Sequence, residues 1–233
     1  MFDRFEKIFV INLAKRTDRR NETKIELLRN GSPKAIFYSA FEPVNAGKFR
    51  SIGEHGCFIS HFTLLKECIG CKNVLIMEDD VHFAANFGAR SHLVDGLDAN
   101  WDIFYAGYRR KNTVPRWKEG DLVKIDNSND LIGTHCYAVN GGAVQKLVQA
   151  YETFMSRDPG HPSGGPMSID GAMNVARRQL RLHTFVATPP LAFQRSSRTD
   201  VGERRWFDEA PRLTGAVQLA RQLKNKLRRL TET

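Results

Sequence analysis

Three consecutive carboxylate side chains, those of Glu78, Asp79 and Asp80, directly follow a short apolar segment at residues 73–77 (NVLIM). Such a segment between polar residues predicts a buried strand. In an open α/β sheet the carboxyl ends of the strands face a ligand crevice, and packed carboxylates repel one another unless a cation shares their site. A hard divalent ion, Mg²⁺ or Mn²⁺, held by a carboxylate and diphosphate oxygens would relieve this repulsion, and the spacing alone is equally compatible with a solvated acidic turn.

Basic side chains follow the first apolar strand of the chain, in the segment VINLAKRTDRR at residues 10–20. Asn12 lies at the predicted strand end, and Arg16, Arg19 and Arg20 fall on the turn and helix start that follow. Guanidinium groups and the free backbone N–H groups of a helix N-terminus both bind phosphate. Taken alone, the segment is better explained as a solvated basic helix start, and anion binding is the alternative.

A third polar set occurs in GEHGCFISH, residues 53–61, near the start of a predicted helix. Glu54, Ser60 and His61 bring a carboxylate, a hydroxyl and an imidazole to one segment. These groups could serve ligand binding. For His61 alone, a satisfied histidine of the core is the better interpretation.

Four segments in a fixed order give the chain a resemblance to glycosyltransferase family 25, the lipopolysaccharide-type galactosyltransferases related to the collagen galactosyltransferases. They are VINLAKRTDRR, GEHGCFISH, VLIMEDDV and GTHCYAVNGGAVQKL, with weaker similarity at SID (168–170) and PPLAFQRSS (189–197). The resemblance extends over about residues 7–197. Several ordered segments are far more specific than any one of them.

The resemblance implies a GT-A type fold, a divalent cation bound through the acidic motif, and a nucleotide-sugar donor, usually UDP-galactose. By the same resemblance Asp80 would bind the metal ion, while Asp79 and Glu78 would position the donor. The nucleotide pocket would be lined by Asn12, Arg16 and Arg19. The acceptor would be a saccharide or glycolipid, such as a lipopolysaccharide or another surface glycan.

The resemblance also suggests transfer with inversion, in which a carboxylate takes the proton of the acceptor hydroxyl. Asp170 matches the later acidic position of the family and is the candidate base. Its alternative role is a plain helix N-cap. Glu54 and Asp130 remain open as the base.

Strands and helices alternate along the chain, which predicts an α/β sheet with helices packed on its faces. Together with the resemblance, this leads us to expect one GT-A type catalytic domain at residues 1–203, with helices on both faces of a mixed, mainly parallel sheet. Strands are predicted at 7–13, 35–38, 73–77, 101–107, 121–126, 133–139 and 183–188. Helices are predicted at about 17–29, 54–68, 86–97, 141–151 and 169–180.

The net charge of +9 is concentrated near the end of the chain, where residues 204–233 carry eight Lys and Arg against three Asp and Glu. Leucine, alanine and valine recur there at helical spacing, which predicts a basic amphipathic C-terminal helix. Such a helix suits an anionic membrane surface, and docking on the domain is the alternative. The start of the chain lacks a signal-peptide pattern, so we expect a cytoplasmic protein, with peripheral attachment to the inner membrane face.

Two other classes of protein remain as alternatives. Basicity is also typical of nucleic-acid-binding modules, but the basic residues are not interleaved with stacking aromatics, so no nucleic-acid partner is expected. Cys57, His61, Cys68 and Cys71 have the spacing C-x3-H-x6-C-x2-C, which could indicate structural zinc. On one helix these residues form two pairs nearly two turns apart, so buried free thiols are the simpler interpretation.

Overall fold

The protein is described from a computed structural model, which defines residues 1–32, 34–110 and 121–195 together with Leu223. Within these ranges nine strands form one sheet, in the order β2-β1-β3-β7-β5-β8-β6, with β4 and β9 paired beside it. The strands are β1 (Lys7–Asn12), β2 (Ile36–Ser39), β3 (Asn73–Glu78), β4 (Val81–Phe83), β5 (Ile103–Arg110), β6 (Asp121–Ile125), β7 (Leu131–Asn140), β8 (Thr184–Thr188) and β9 (Ala192–Gln194).

The helices of the same ranges connect these strands. They are α1 (Thr17–Arg29), α2 (Ile52–Glu67), α3 (Phe87–Arg90), α4 (Gly141–Ser156) and α5 (Ile169–Leu180), with 3-10 turns at Phe2–Arg4 and Ser91–Gly96. None of the helices in the described ranges is long and apolar enough to span a bilayer.

Strand directions make the sheet mixed. β1 runs parallel to β2 and β3, and β5 runs parallel to β8 and β9. β7 is antiparallel to both β3 and β5, so these two groups of strands point the same way. Only β4, β6 and β7 among the described strands point the opposite way. The predicted mixed, mainly parallel sheet is confirmed.

Helices cover both faces of the sheet, as predicted. Val74 and Ile76 of β3 belong to a core that includes Phe58 of α2 and Leu147 of α4. The intervening residues of β3, including Leu75, belong to a second core with Leu27 of α1. Successive side chains of a strand point to opposite faces, so β3 is buried on both sides. That burial explains its continuous apolar sequence.

A close backbone contact fixes the start of α4 against the loop before β3. The N–H of Gly141 donates to the carbonyl oxygen of Lys72 at 2.8 Å. A Cβ atom at Gly141 would lie 2.2 Å from the carbonyl oxygen of Cys71, a distance that no side chain tolerates. Glycine is therefore required where this helix meets the loop that leads into the acidic strand.

The structure departs from the predicted elements in a few places. The helix expected at 86–97 is split into the short α3 and a 3-10 turn, where Gly88, Ser91 and His92 are all weak helix formers. Strands β4 and β9 were not predicted because each has only three residues. The predicted C-terminal helix lies, except for Leu223, outside the described residues.

Candidate functional site

The register of the sheet brings the predicted acidic and polar residues together. β1 and β3 are parallel neighbours with Ile11 opposite Glu78. The N–H of Asp79 continues this pairing by donating to the carbonyl oxygen of Ile11 at 3.1 Å. Asn12 at the end of β1 and the acidic residues at the end of β3 consequently share one edge of the sheet. This is the carboxyl edge at which an α/β sheet binds ligands.

Asp79 is buried, and both of its carboxylate oxygens have partners. Asn12 donates to Oδ2 at 2.7 Å, and Arg19 of α1 donates to Oδ1 at 2.9 Å. The hydroxyl of Thr23 donates to the backbone carbonyl of Asp79 at 2.6 Å. These contacts fasten the first turns of α1 to the acidic turn. They engage the Asp79 carboxylate within the protein.

Asp80 is also buried, at 4% exposure, but one of its two carboxylate oxygens is available to bind a ligand. Its Oδ2 accepts a 3.2 Å hydrogen bond from Gln194 and lies 3.4 Å from the Arg19 guanidinium. Its Oδ1 is buried without a hydrogen-bond partner. Burial, and next the charge of Glu78, raise the pKa of Asp80 to about 7. A carboxylate oxygen in this state has the environment that a divalent cation would stabilise.

Glu78 lies at the same strand end, with its side chain 22% exposed. The hydroxyl of Thr134 on β7 donates to Oε1 at 2.7 Å. Burial raises the pKa of Glu78, and the hydrogen bond from Thr134 lowers it. His61 Nε2 lies 3.7 Å from Oε1, which is too far for a hydrogen bond.

A cavity of about 250 Å³ opens beside these groups. Three predicted site residues line it, namely Arg19, Glu78 and Asp79. Its other walls come from residues 40–43 and the first turns of α2, including Cys57, Ser60 and His61. The predicted anion-binding, acidic and GEHGCFISH segments therefore meet around one cavity. Asn12 and Asp80 contribute through their contacts with Asp79 and Arg19.

Arg16 takes a different position from Arg19. It is the N-cap residue of α1, and its guanidinium pairs with the exposed carboxylate of Asp18 at 2.8 Å. The hydrogen bond from Arg16 is the main cause that lowers the pKa of Asp18 to about 2. The backbone carbonyl of Arg16 accepts a 3.2 Å hydrogen bond from Asn12. Arg16 thus helps to orient Asn12 through its main chain.

Glu54 and Asp170, two of the three candidate bases, differ in their surroundings. Glu54 is held by Arg50, whose Nε and Nη2 lie 2.9 Å and 2.6 Å from Oε2. Asp170, at the start of α5, accepts a 3.1 Å hydrogen bond from the N–H of Gly133. Gly133 directly precedes Thr134, the residue bound to Glu78. Asp170 is therefore linked to the acidic strand end through two consecutive residues of β7.

Some residues of the site had no clear signal in the sequence. Gln194 reaches Asp80 because β9 pairs with β4, which places Val81 opposite Gln194. The Nη2 group of Arg195 donates to the carbonyl oxygen of Asp79 at 2.9 Å. Its backbone N–H donates to the carbonyl oxygen of Asp80 at 2.7 Å. The segment PPLAFQRSS carries these two residues, but only the fold brings them to the acidic turn.

The chain is similar to proteins of one family. Residues 38–162 match the profile described as Glycosyltransferase family 25 (LPS biosynthesis protein). Human procollagen galactosyltransferase 2 is 29% identical over an alignment of 176 residues that covers 63% of this chain and 28% of that protein. Human inactive glycosyltransferase 25 family member 3 is 29% identical over an alignment of 170 residues that covers 62% of this chain and 29% of that protein. The chain thus spans under a third of these relatives.

A solved structure supports the fold assignment. The glycosyltransferase involved in the glycosylation of the major capsid of PBCV-1 aligns with a TM-score of 0.52 and 12% identity, covering 83% of this chain and 93% of that chain. At this identity the likeness concerns the fold alone, and it agrees with the predicted GT-A type architecture. Because the family profile matches more than half of its residues, the chain belongs to glycosyltransferase family 25.

Proposed function

We propose that the protein is a metal-dependent glycosyltransferase that moves galactose from UDP-galactose to a saccharide acceptor. The observation that carries this proposal is the buried Oδ1 atom of Asp80, which lacks a hydrogen-bond partner beside two further carboxylates. A free buried carboxylate oxygen is costly unless a cation binds it. The family of the chain supplies the expectation of a nucleotide-sugar donor.

The donor atoms fit a hard divalent ion. Mg²⁺ and Mn²⁺ prefer oxygen ligands, and Mg²⁺ is commonly held by one or two carboxylates plus the phosphates of a substrate. Asp80 offers Oδ1, and Glu78 lies two residues before it on the same strand end. Such an ion would supply Lewis-acid stabilisation of the leaving diphosphate.

Arg19 and Asn12 keep the acidic turn in position. Arg19 donates to Asp79 and lies 3.4 Å from Asp80, so its charge offsets part of the repulsion between the two aspartates. Asn12 holds the second oxygen of Asp79. Because Arg19 also lines the cavity, its guanidinium can face an anionic phosphate there. We assign Asn12, Arg16 and Arg19 to the nucleotide end of the pocket.

Transfer with inversion requires a base on the acceptor side, and we assign this role to Asp170. Its carboxylate is half-buried at the start of a helix and is oriented by the N–H groups of Gly133 and Gly171. An oriented carboxylate can accept the proton of the acceptor hydroxyl as that oxygen attacks the anomeric carbon. Glu54 is the second candidate, and its carboxylate is already engaged in a salt bridge with Arg50.

The acceptor we propose is a lipopolysaccharide or another surface glycan, reached at the cytoplasmic face of a membrane. The description of the matched family and the basic residues 204–233 support this choice. Each basic residue near an anionic leaflet contributes about 1 kcal/mol to binding. Deleting residues 212–233 should weaken binding to vesicles that contain anionic lipid, and unchanged binding would contradict a membrane role for that segment.

The direct test of the proposed function is a donor screen. The purified protein is incubated with individual nucleotide sugars, with Mn²⁺, with Mg²⁺ or with a chelator, and the released nucleotide is measured. We expect metal-dependent release of UDP from UDP-galactose above that from other donors. Release that is unaffected by the chelator would contradict the metal requirement, and release from a different sugar nucleotide would contradict the assigned donor.

A further inference from the structure

One wall of the cavity brings together a thiol, an imidazole and a carboxylate. Cys57 and His61 are four residues apart on α2, a spacing that places both on one face of a helix. Glu78 approaches them from the end of β3. Their potential ligand atoms all lie within 4.8 Å of one another, and all three residues line the cavity.

The imidazole of His61 is oriented as metal-binding histidines are. The residue is 1% exposed, and its Nδ1 lies 2.9 Å from the hydroxyl of Tyr137. With the Nδ1 proton donated to that hydroxyl, the lone pair of Nε2 faces the thiol and the carboxylate. Nε2 is buried without a hydrogen-bond partner. Metal-binding histidines characteristically donate the second ring N–H to such an outer partner.

The separation between the imidazole and the carboxylate suits a small tetrahedral ion. Zinc bonds of about 2.0–2.3 Å at tetrahedral angles place ligand atoms roughly 3.3–3.8 Å apart. His61 Nε2 and Glu78 Oε1 are 3.7 Å apart without rearrangement. The hydroxyl of Thr134 holds Glu78 from the other side at 2.7 Å, so the carboxylate also has an outer partner. The fourth position would face the cavity.

We propose that Cys57, His61 and Glu78 form a binding site for a thiophilic divalent cation, of the class of Zn²⁺, on the cavity wall. Sulfur and imidazole ligands select Zn²⁺ over Mg²⁺ and Mn²⁺. The site shares the acidic strand end through Glu78, but its sulfur and nitrogen ligands distinguish it from the oxygen ligand of Asp80. Binding replaces the thiol proton of Cys57 with the ion and releases that proton to solvent.

This site differs from the zinc motif considered from the sequence. That motif combined Cys57 and His61 with Cys68 and Cys71. In the structure all four cysteines are free thiols, and Cys68 interacts with Cys71 and Lys7 instead. Among the described residues, Glu78 completes the ligand group with Cys57 and His61. A residue distant in sequence thus takes the place of the second cysteine pair.

Cobalt provides the test, because a Co²⁺ ion bound to a thiolate has a charge-transfer absorption that oxygen and nitrogen ligands do not produce. We expect the metal-free protein to develop this band with one equivalent of Co²⁺, and added Zn²⁺ to abolish it. Cys57→Ser should remove the band. Cys71→Ser, a matched change of another thiol, and Asp80→Asn should retain it.

Competition titrations supply a second readout. His61→Gln should lower the affinity for Zn²⁺. Tyr137→Phe, which removes the hydroxyl bound to His61, should lower that affinity roughly 10–100-fold. Circular dichroism verifies that each variant is folded. A folded protein without the thiolate band, or a band that persists in Cys57→Ser, would overturn the proposal. Because metal binding is measured without any sugar nucleotide, this result is independent of the transferase assignment.

Discussion

Arg19 on α1 donates a 2.9 Å hydrogen bond to Asp79 at the end of β3, and both side chains are almost fully buried. The same guanidinium lies 3.4 Å from Asp80, so one arginine serves two aspartates. Buried carboxylates without a countercharge are strongly destabilising. This arginine therefore offsets part of the repulsion between the two aspartates of the acidic turn.

Replacement of Arg19 by methionine should destabilise the fold, because it leaves buried carboxylates without their countercharge. We expect the free energy of unfolding to fall by about 3 kcal/mol. Arg16→Met is the matched control, since Arg16 pairs with an exposed aspartate and such a pair contributes about 0–1 kcal/mol. Urea denaturation measures both variants. Equal losses in the two would contradict the special role of Arg19.

Asp80→Asn should increase the stability of the metal-free protein while abolishing metal-dependent activity. The pKa of Asp80 is raised from 3.8 to about 7, so the native state loses stability as the pH rises from about 4 to 7. The amide removes this loss. We expect a melting temperature at pH 7.5 higher by at least about 2–4 °C, the shift that 1 kcal/mol gives at this chain length.

The same comparison at low pH provides the control for Asp80→Asn. Near pH 3.5 the aspartate is protonated in the folded state and largely so in the unfolded state, so the two proteins should melt at similar temperatures. Added Mn²⁺ should raise the melting temperature of the wild-type protein and leave the variant unchanged. A variant that is less stable than the wild type at pH 7.5 would show that the carboxylate is stabilised by the protein itself.

Asp170→Asn should reduce turnover and leave donor binding intact. The amide oxygen can still accept the hydrogen bond from the N–H of Gly133, but the amide cannot accept a proton from the substrate hydroxyl. The expected loss in kcat is about 10²–10⁴-fold. Glu54→Gln should lower kcat less, since Glu54 is occupied by Arg50. Steady-state kinetics with calorimetric donor affinities separate the two variants. A larger loss in Glu54→Gln would transfer the role of base to that residue.

Gly141→Ala should disrupt the contact between α4 and the loop before β3. Its Cβ atom would lie 2.2 Å from the carbonyl oxygen of Cys71, and overpacking of this kind costs about 1–3 kcal/mol. A Cβ atom at the neighbouring Gly142 would have open space for 4 Å around it, so Gly142→Ala is the control. That change should be neutral or stabilising, by up to about 1 kcal/mol. Denaturant titrations at constant pH compare the two.

Much of the architecture was predictable because its central elements have long, regular apolar patterns. β3 and β7 are buried strands, and each contains a run of consecutive apolar residues that is longer than is usual in a loop. The helices α1, α2, α4 and α5 each have a clear start or a helical repeat of apolar residues. The placement of Glu78, Asp79 and Asp80 at a strand end followed from this pattern. Parallel pairing of β1 with β3 then brought Asn12 to the same edge.

The remaining features depend on contacts that no local pattern encodes. Gln194 meets Asp80 across 114 positions of sequence, through two strands of three residues each. His61 is buried as predicted, but only one of its ring nitrogens has a hydrogen-bond partner. Its proximity to Glu78 depends on how α2 packs against β3. Side-chain partners of this kind are set by tertiary packing, which a single sequence does not specify.

The proposed mechanism requires the acidic end of β3 to bind a divalent ion together with a sugar nucleotide, and calorimetry of UDP-galactose binding is the decisive experiment. With Mn²⁺ present, the wild-type protein should bind the donor with one site per chain, and Asp80→Asn should lose that binding by at least about tenfold, which is 1.4 kcal/mol. Chelation of the metal should have the same effect on the wild type. Donor affinity that is equal in the presence and absence of Mn²⁺, and unchanged in Asp80→Asn, would contradict this mode of binding.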